Sequence, residues 1–199
     1  MNVLLLEASP RRKGSTAALA RAFVEGLGSA AQVRDVFLHD LHIRPCSACD
    51  SCRTRGGIYC AFDDDMQPLY PEFLRADLVV MATPVYWWSI SAQLKLFIDR
   101  LYGLNSEKHP ERFRGKRLAV LMAHGDAKPC SGARIALRMF REIVQYTGMN
   151  LVGALEYSSG SREAADALEA LVEARTLGAR LAALPGTAAA SAGAAAGRT

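Results

Sequence analysis

The chain opens with Asn2-Val3-Leu4-Leu5-Leu6-Glu7-Ala8, which runs directly into Ser9-Pro10-Arg11-Arg12-Lys13-Gly14-Ser15-Thr16. The first segment is an apolar run of strand length, and a helical spacing of apolar residues begins after the second, at Ala17. A strand, a tight polar loop and a helix place the free N–H groups of the first helical turn at the carboxyl end of a sheet. Those N–H groups, with the positive end of the helix dipole, suit a phosphate.

The side chains of this first loop also suit a phosphate, because its hydroxyls donate hydrogen bonds and its basic residues supply countercharge. The candidate binding residues are Ser9, Arg11, Lys13, Gly14, Ser15 and Thr16. The alternative is that Ser15 or Thr16 only caps the helix and that the basic triplet is a solvated loop. The loop lacks the glycine patterns of dinucleotide-binding loops and of triphosphate P-loops, and it has no cysteine nucleophile.

The rest of the chain continues the alternation of strand and helix. Apolar runs predict strands at 2–8, 32–38, 77–82, 116–122 and 150–157, and helical spacing predicts helices at 17–27, 66–74, 92–102, 132–146 and 162–184. This order predicts an α/β fold, a three-layer sandwich with a five-stranded parallel sheet and helices on both faces. Residues 1–184 form the predicted domain, and the Ala/Gly-rich residues 185–199 are predicted to be a disordered tail.

Composition and charge restrict the class of protein. Half of the 199 residues are hydrophobic, as in a globular protein, and no apolar run reaches the roughly 20 residues that a membrane span needs. The amino terminus has no signal-peptide pattern, so we expect a cytoplasmic protein with no membrane partner. The net charge of +4 is mild and scattered, which argues against nucleic acid as a partner.

Three predicted loops leave the carboxyl ends of strands, where parallel sheets bind their ligands: 9–16, 84–89 and 124–131. The second loop carries Pro84, Val85, Tyr86, Trp87 and Trp88, and the third begins at His124 and Gly125. Aromatic rings at this edge of a sheet favour a flat, conjugated ligand. Two alternatives stay open: that the tryptophans pack under the next helix or in a dimer interface, and that His124 is a surface histidine.

A phosphate, a spacer and a flat ring describe FMN, and at these residues the sequence resembles a family. The segments Ser9 to Thr16, Pro84-Val85-Tyr86-Trp87 and Leu94 to Arg100 are similar to those of the flavodoxin-like NAD(P)H-dependent FMN reductases. The resemblance covers about residues 1–160. It implies a flavodoxin-like fold, with Ser9, Arg11, Ser15 and Thr16 at the FMN phosphate. It also implies contact of Pro84 to Trp87 with the isoalloxazine, His124 and Gly125 on its other side, and a homodimer or homotetramer.

Four cysteines lie between the second and third predicted strands. Cys46, Cys49, Cys52 and Cys60 have the spacing C-x2-C-x2-C-x7-C, which allows the thiols to converge on one metal centre. Four thiolates without histidine suit a [4Fe–4S] cluster or a structural zinc. The iron–sulfur flavoproteins, a branch of the same superfamily, carry a motif of this kind, whereas other members with similar loops bind no cluster. Free thiols and disulfides therefore remain alternatives. The following acids, Asp63-Asp64-Asp65, are expected at a helix N-terminus.

Three functions are consistent with these residues. The first is an oxidoreductase that passes hydride from NADH or NADPH through FMN to a small acceptor such as a quinone, a free flavin, or a nitro- or azo-compound. The second is an electron-transfer protein with FMN and a [4Fe–4S] cluster that ferredoxin reduces. The third is a zinc-holding binding module without flavin. No catalytic side chain is predicted, because hydride transfer needs the two rings in contact and no acid–base dyad is evident.

Overall fold

The computed structural model describes residues 1–55, 59–106, 108–127, 129–160 and 164–184. The predicted disordered tail at 185–199 lies outside the described residues. The strands are β1 (Asn2–Glu7), β2 (Gln32–Phe37), β3 (Leu78–Pro84), β4 (Arg117–His124) and β5 (Asn150–Ser158). The helices are α1 (Ser15–Leu27), α2 (Ser51–Thr54), α3 (Leu69–Arg75), α4 (Ala92–Arg100), α5 (Ser131–Thr147) and α6 (Ala164–Ala182). Every predicted strand and helix is present, with ends that differ from the prediction by a few residues.

The five strands form one parallel sheet in the order β2-β1-β3-β4-β5. The chain moves outward from β1 to β2 and then returns past β1 to β3, so the strand order reverses between β1 and β3. Parallel sheets of this order bind ligands at that switch point, beyond the carboxyl ends of the strands. The predicted flavodoxin-like sandwich is confirmed, and its first and second predicted loops flank the switch point.

Alternating side chains of the central strands fill two cores. Leu4, Val79 and Val120 are buried on the face that α3, α4 and α5 cover, and Leu5, Val80 and Leu121 are buried on the face of α1 and α6. A strand buried on both faces needs apolar residues at every position, which explains the continuous apolar runs. The outer strands β2 and β5 are more exposed, as expected for strands at the edges of the sheet.

Helices α1 and α6 pack unusually closely through two glycines. A Cβ atom on Gly26 would lie 2.0 Å from the carbonyl oxygen of Arg175, and one on Gly178 would lie 2.1 Å from that of Phe23. Only glycine permits this approach of the two backbones. The contact fixes α1, and therefore the loop that enters it, on the face of the sheet.

No helix among the described residues is long and apolar enough to cross a membrane.

Two carboxyl groups contact each other near the carboxyl ends of β1 and β2, just before the first loop. Glu7 of β1 shares a hydrogen bond with Asp35 of β2. Burial, with the adjacent Asp35 carboxylate, raises the pKa of Glu7 from its ordinary 4.5 to about 7. Burial also raises the pKa of Asp35. Glu7 thus holds a proton that it shares with Asp35 at mildly acidic pH.

The shared proton predicts a pH dependence of stability. Because the folded pKa of Glu7 lies above the unfolded one, its contribution is complete below pH 4.5 and is lost as the pH rises toward 7. Glu7→Gln should therefore have the same free energy of unfolding as the wild type near pH 4. At pH 8 its free energy of unfolding should be higher by about 1 to 2 kcal/mol, after allowance for solvent screening. Urea unfolding at both values measures this. Glu25→Gln, at an exposed ion pair with Arg175, is the control. A Glu7→Gln difference that is the same at both pH values contradicts the prediction.

Candidate cofactor site at the switch point

The first loop presents an uncapped helix terminus. The N-cap residue of α1 is Gly14, which has extended backbone angles, and no side chain caps the first turn. Ser15 is the first helical residue, so the alternative that Ser15 or Thr16 serves as the N-cap is wrong. The loop closes on itself through Ser9 Oγ, which accepts a hydrogen bond from the Arg11 N–H at 3.1 Å. The terminus is thereby left open to an anion.

The three predicted loops meet around one cavity of about 300 Å³. Its lining residues are Ser9, Arg11, Gly14, Ser15, Thr16, Pro84, Val85, Tyr86, Ala123, His124, Gly125 and Ser159. Ten of the twelve residues predicted to bind FMN lie in this set. The remaining two lie elsewhere: Lys13 is exposed in the loop and does not line the cavity, and Trp87 lines a neighbouring cavity.

The basic residues of the first loop divide between two environments. Arg11 lines the cavity, whereas Arg12 pairs with Asp40 and lies over the ring of Phe37, with 4.0 Å between its guanidinium carbon and the ring centroid. Of these two arginines, Arg11 is therefore the one positioned to supply countercharge to a phosphate in the cavity.

The second loop is a tight hairpin turn built from two tryptophans. Tyr86 and Ser89 exchange backbone hydrogen bonds of 2.9 Å in both directions, and Trp87 and Trp88 occupy the turn with φ of 47° and 59°. Turns with two positive φ angles ordinarily use asparagine and glycine, so two tryptophans here are strained. Trp88 is held by a 2.9 Å hydrogen bond from its indole N–H to Ser131 Oγ. Trp87 is 90% exposed, so the turn displays its ring to solvent.

A second cavity, of about 340 Å³, lies beside the first and shares Val85, His124 and Gly125 with it. Trp87, Trp88, Asp126, Cys130 and Gly132 complete its lining. The alternative that the tryptophans pack under the next helix does not apply to Trp87, which is open to solvent. Together the two cavities offer a polar end at the helix terminus and an aromatic end at the hairpin turn.

His124 stands where the two cavities meet and is 4% exposed, so the alternative of a surface histidine is wrong. Its Nδ1 lies 3.0 Å from the carbonyl oxygen of Asp126. Its Nε2 is buried and has no hydrogen-bond partner among the described residues. Ser159 fixes the backbone here, because its N–H and its hydroxyl both donate to the His124 carbonyl oxygen, at 2.7 and 2.9 Å. A buried polar atom without a partner is uncommon and marks a candidate ligand contact.

The four cysteines of the predicted metal site line one cavity. Cys46, Cys49, Cys52 and Cys60 surround a volume of about 340 Å³, together with Phe62, Asp99 and Tyr102. All five cysteines of the chain are free thiols, so the disulfide alternative is not what the structure shows. Hydrogen bonding with Ser51 lowers the pKa of the Cys49 thiol, and burial raises that of Cys52. Among the described side chains, no three His, Cys, Asp or Glu residues are grouped tightly enough to hold a metal ion.

A buried ion pair anchors this cysteine loop to α4. Arg100 donates two hydrogen bonds to Asp64, at 2.7 and 3.0 Å, and a third of 2.8 Å to the Arg44 carbonyl oxygen. Burial acts to raise the pKa of Asp64, but the hydrogen bonds it accepts from Arg100, Arg44 and Met66 lower it overall. The expectation that Asp63, Asp64 and Asp65 lie at a helix N-terminus is wrong, because α3 begins only at Leu69.

Sequence reasoning missed the ion pair between Arg100 and Asp64 and the role of Ser159. Arg100 and Asp64 are 36 residues apart in the chain, and Ser159 follows a strand whose terminal loop has no distinctive motif. In the sequence, an arginine at the end of an amphipathic helix looks the same whether it is exposed or buried. Nothing therefore indicated that Arg100 forms a buried ion pair. The contribution of Ser159 depends on the pairing of β4 with β5, which brings His124 beside Ser158.

Comparison with known proteins agrees with this architecture. An iron–sulfur flavoprotein of Methanosarcina thermophila is 33% identical over 161 residues, which cover 80% of this chain and 81% of that protein. The iron–sulfur flavoprotein MJ1083 of Methanocaldococcus jannaschii is 31% identical over 101 residues, so the match spans half of this chain and 51% of that protein. Among solved structures, the NAD(P)H:quinone oxidoreductase of Methanothermobacter marburgensis has a similar fold. Its TM-score is 0.68 at 21% identity, and the match covers 91% of this chain and 98% of that one.

The family model of the NADPH-dependent FMN reductases matches residues 1–164, which contain all three loops of the switch point and the four-cysteine loop. Most of the chain is therefore covered by one family description, and the resemblance seen in the sequence is confirmed. The protein therefore belongs to the NADPH-dependent FMN reductase family.

Proposed function

We propose that the protein binds FMN in the two adjoining cavities and passes hydride from NADH or NADPH through flavin N5 to a small acceptor. Candidate acceptors are quinones, free flavin, and nitro- or azo-compounds. The observation that carries the proposal is the convergence of three loops on the switch point, with an uncapped helix terminus at one end and aromatic residues at the other. A zinc-holding module without flavin is not retained, because the family model that matches the chain describes FMN reductases.

The residues present fit FMN. The N–H groups at the start of α1, with Ser9, Ser15 and Thr16, offer donors to a phosphate, and Arg11 offers charge. Val85, Tyr86 and Trp87 offer apolar and aromatic surface to a ring. The space in front of Gly125 is open, since a Cβ there would meet nothing within 4 Å, and a ring in that space could approach the backbone closely. The role of these side chains is to position the ring and exclude water from one of its faces while the other remains open to donor and acceptor.

The phosphate site can be tested by comparing FMN with riboflavin. We expect FMN to bind the apoprotein about 30-fold more tightly, because charge-assisted hydrogen bonds to a phosphate are stronger than those to a hydroxyl. Arg11→Met should lower FMN affinity about tenfold and leave riboflavin affinity unchanged. Arg12→Met is the matched control, since Arg12 is occupied by Asp40 and Phe37. Equal affinity for the two flavins would place the phosphate elsewhere.

The activity is tested with the FMN-loaded protein under anaerobic conditions. Mixing with NADH or NADPH should bleach the flavin absorbance, and a quinone should restore it. The proposal fails if neither nicotinamide nucleotide reduces the bound flavin.

A second candidate function is suggested by the cysteine cavity, because four thiols line one space. In the described arrangement they are not close enough to hold a metal ion, so a [4Fe–4S] cluster would have to draw them together as it binds. The protein would then transfer electrons from ferredoxin to FMN. Protein purified without oxygen should contain about four irons and four sulfides per chain. Cys49→Ser should lose the iron, whereas Cys130→Ser, in a different loop, should retain it. If the wild type contains no iron, or if Cys49→Ser retains it, the result favours an FMN reductase without a cluster at these cysteines.

The assembly and location follow as part of the same proposal. A homodimer or homotetramer would cover Trp87, Tyr146 and Ile135, which are large side chains at least half exposed in one chain. Light scattering at micromolar concentration tests this, and a monomer contradicts it.

A cytoplasmic location is proposed because free, closely spaced thiols persist best in a reducing compartment.

A further inference from the structure

His124 lines both cavities and carries a buried ring nitrogen without a partner among the described residues. A carbonyl oxygen only accepts hydrogen bonds, so the 3.0 Å contact with the Asp126 carbonyl requires the hydrogen of the neutral ring to sit on Nδ1. The other nitrogen, Nε2, then carries a lone pair and no hydrogen. Nε2 is buried and has no partner among the described residues, although His124 lines both cavities.

The surrounding backbone holds this arrangement in place. The Asp126 carbonyl oxygen also accepts a hydrogen bond from the Ser158 hydroxyl, and the His124 carbonyl oxygen accepts two from Ser159. A 180° flip of the ring would place Cδ2 where Nδ1 now lies and would give up the Asp126 contact. A buried acceptor without a donor is destabilising, so a ligand that supplies a donor would stabilise the site.

We propose that His124 Nε2 accepts a hydrogen bond from the imide N3–H of the bound isoalloxazine. This inference rests on the proposed function. The oxidised isoalloxazine ring has one N–H group, at N3; N1, N5 and the two carbonyl oxygens only accept, and N10 carries the ribityl chain. A lone pair on Nε2 therefore pairs with that single donor. His124 is thereby a binding residue that selects rings with an imide N–H and sets the orientation of the ring in the cavity.

The test compares the affinity of FMN with that of 3-methyl-FMN, which lacks the N3 hydrogen. Flavin fluorescence is followed as apoprotein is added, for the wild type and for His124→Leu. We expect the wild type to prefer FMN about tenfold, as for the loss of one buried hydrogen bond. In His124→Leu the preference should fall below about twofold. Leucine is similar in size to histidine, so a purely steric penalty of the methyl group would persist in the variant.

His124→Gln and His109→Leu complete the design. The glutamine amide oxygen accepts hydrogen bonds, so His124→Gln should keep part of the preference, and His109→Leu, at an exposed histidine, should keep all of it. A structural role of His124 would weaken both flavins equally and leave their ratio at tenfold, which would overturn the inference. A wild-type ratio near one would also overturn it. If neither flavin binds the wild type, the proposed function itself fails.

The N3 proton provides a direct readout on the wild type that does not depend on folding of a variant. In a complex with ¹⁵N3-labelled FMN, the N3–H should give a slowly exchanging proton signal in the NMR spectrum. Exchange as fast as in free FMN would contradict the hydrogen bond to His124.

Discussion

Replacing Arg100 with methionine is expected to lower the free energy of unfolding by about 3 to 5 kcal/mol, the cost of leaving one member of a buried ion pair without its partner. Both side chains of the Arg100–Asp64 pair are 1% exposed. Without the guanidinium, the Asp64 carboxylate would keep only its hydrogen bonds from the Arg44 and Met66 N–H groups. Denaturant unfolding followed by circular dichroism measures the change.

Lys95→Met is the matched control for Arg100→Met. Lys95 lies on the same helix, and its ion pair with Asp99 is about half exposed on both sides, so its loss should cost less than about 1 kcal/mol. The double variant Arg100→Met, Asp64→Leu should recover part of the stability, because no buried charge remains. An Arg100→Met protein as stable as Lys95→Met would show that the pair does not anchor α4.

The same substitution also affects the cysteine loop. Arg100 donates a hydrogen bond to the Arg44 carbonyl oxygen, and its partner Asp64 accepts one from the Arg44 N–H. Arg44 lies two residues before Cys46. The route of the chain into the cysteine cavity therefore depends on α4. If the protein proves to contain a cluster, its iron content should fall in Arg100→Met and remain unchanged in Lys95→Met.

Replacing Gly160 with alanine is expected to lower the free energy of unfolding by about 3 kcal/mol and FMN affinity by at least about tenfold. The added Cβ would lie 1.8 Å from the carbonyl oxygen of Gly125, far inside van der Waals contact. The third loop would then have to move, and with it His124. Thermal unfolding and fluorescence titration with FMN measure the two effects.

Gly125→Ala is the matched control for stability, because a Cβ there would meet nothing within 4 Å. Gly125 is the residue that a Cβ on Gly160 would meet, and Gly125→Ala adds the same methyl group without that clash. Equal stability of Gly160→Ala and the wild type would show that the third loop adapts without cost, and would remove the argument that Gly160 positions His124.

In the proposed reductase, the strained hairpin turn would place an aromatic ring beside the flavin. Trp87 and Trp88 occupy positions with positive φ, which costs about 1 to 3 kcal/mol for each residue in an unfavourable region. Strain of this kind persists where the surrounding structure enforces it, as the Trp88–Ser131 hydrogen bond does here. The result is an indole ring of Trp87 at the mouth of the second cavity, in a position to cover a flat ligand.

Local patterns in the sequence determined most of the fold. The apolar runs in β1, β3 and β4 identify strands covered on both faces, and their alternation with amphipathic helices leaves a parallel sheet as the consistent arrangement. The same order places three loops at one edge, so ten of twelve residues predicted for FMN line one cavity. These features were predictable because strand burial, helix periodicity and the direction of parallel strands are properties of short segments.

Only the tertiary structure decided which groups within these loops are satisfied and which are left for a ligand. Three features depend on contacts between distant segments: Arg12 pairs with Asp40 while Arg11 lines the cavity, Asp64 pairs with Arg100, and His124 Nε2 has no partner among the described residues. Sequence spacing shows which side chains share an edge of the sheet. Hydrogen-bond direction and burial are set by distances of a few tenths of an ångström, which arise only when separate elements pack together.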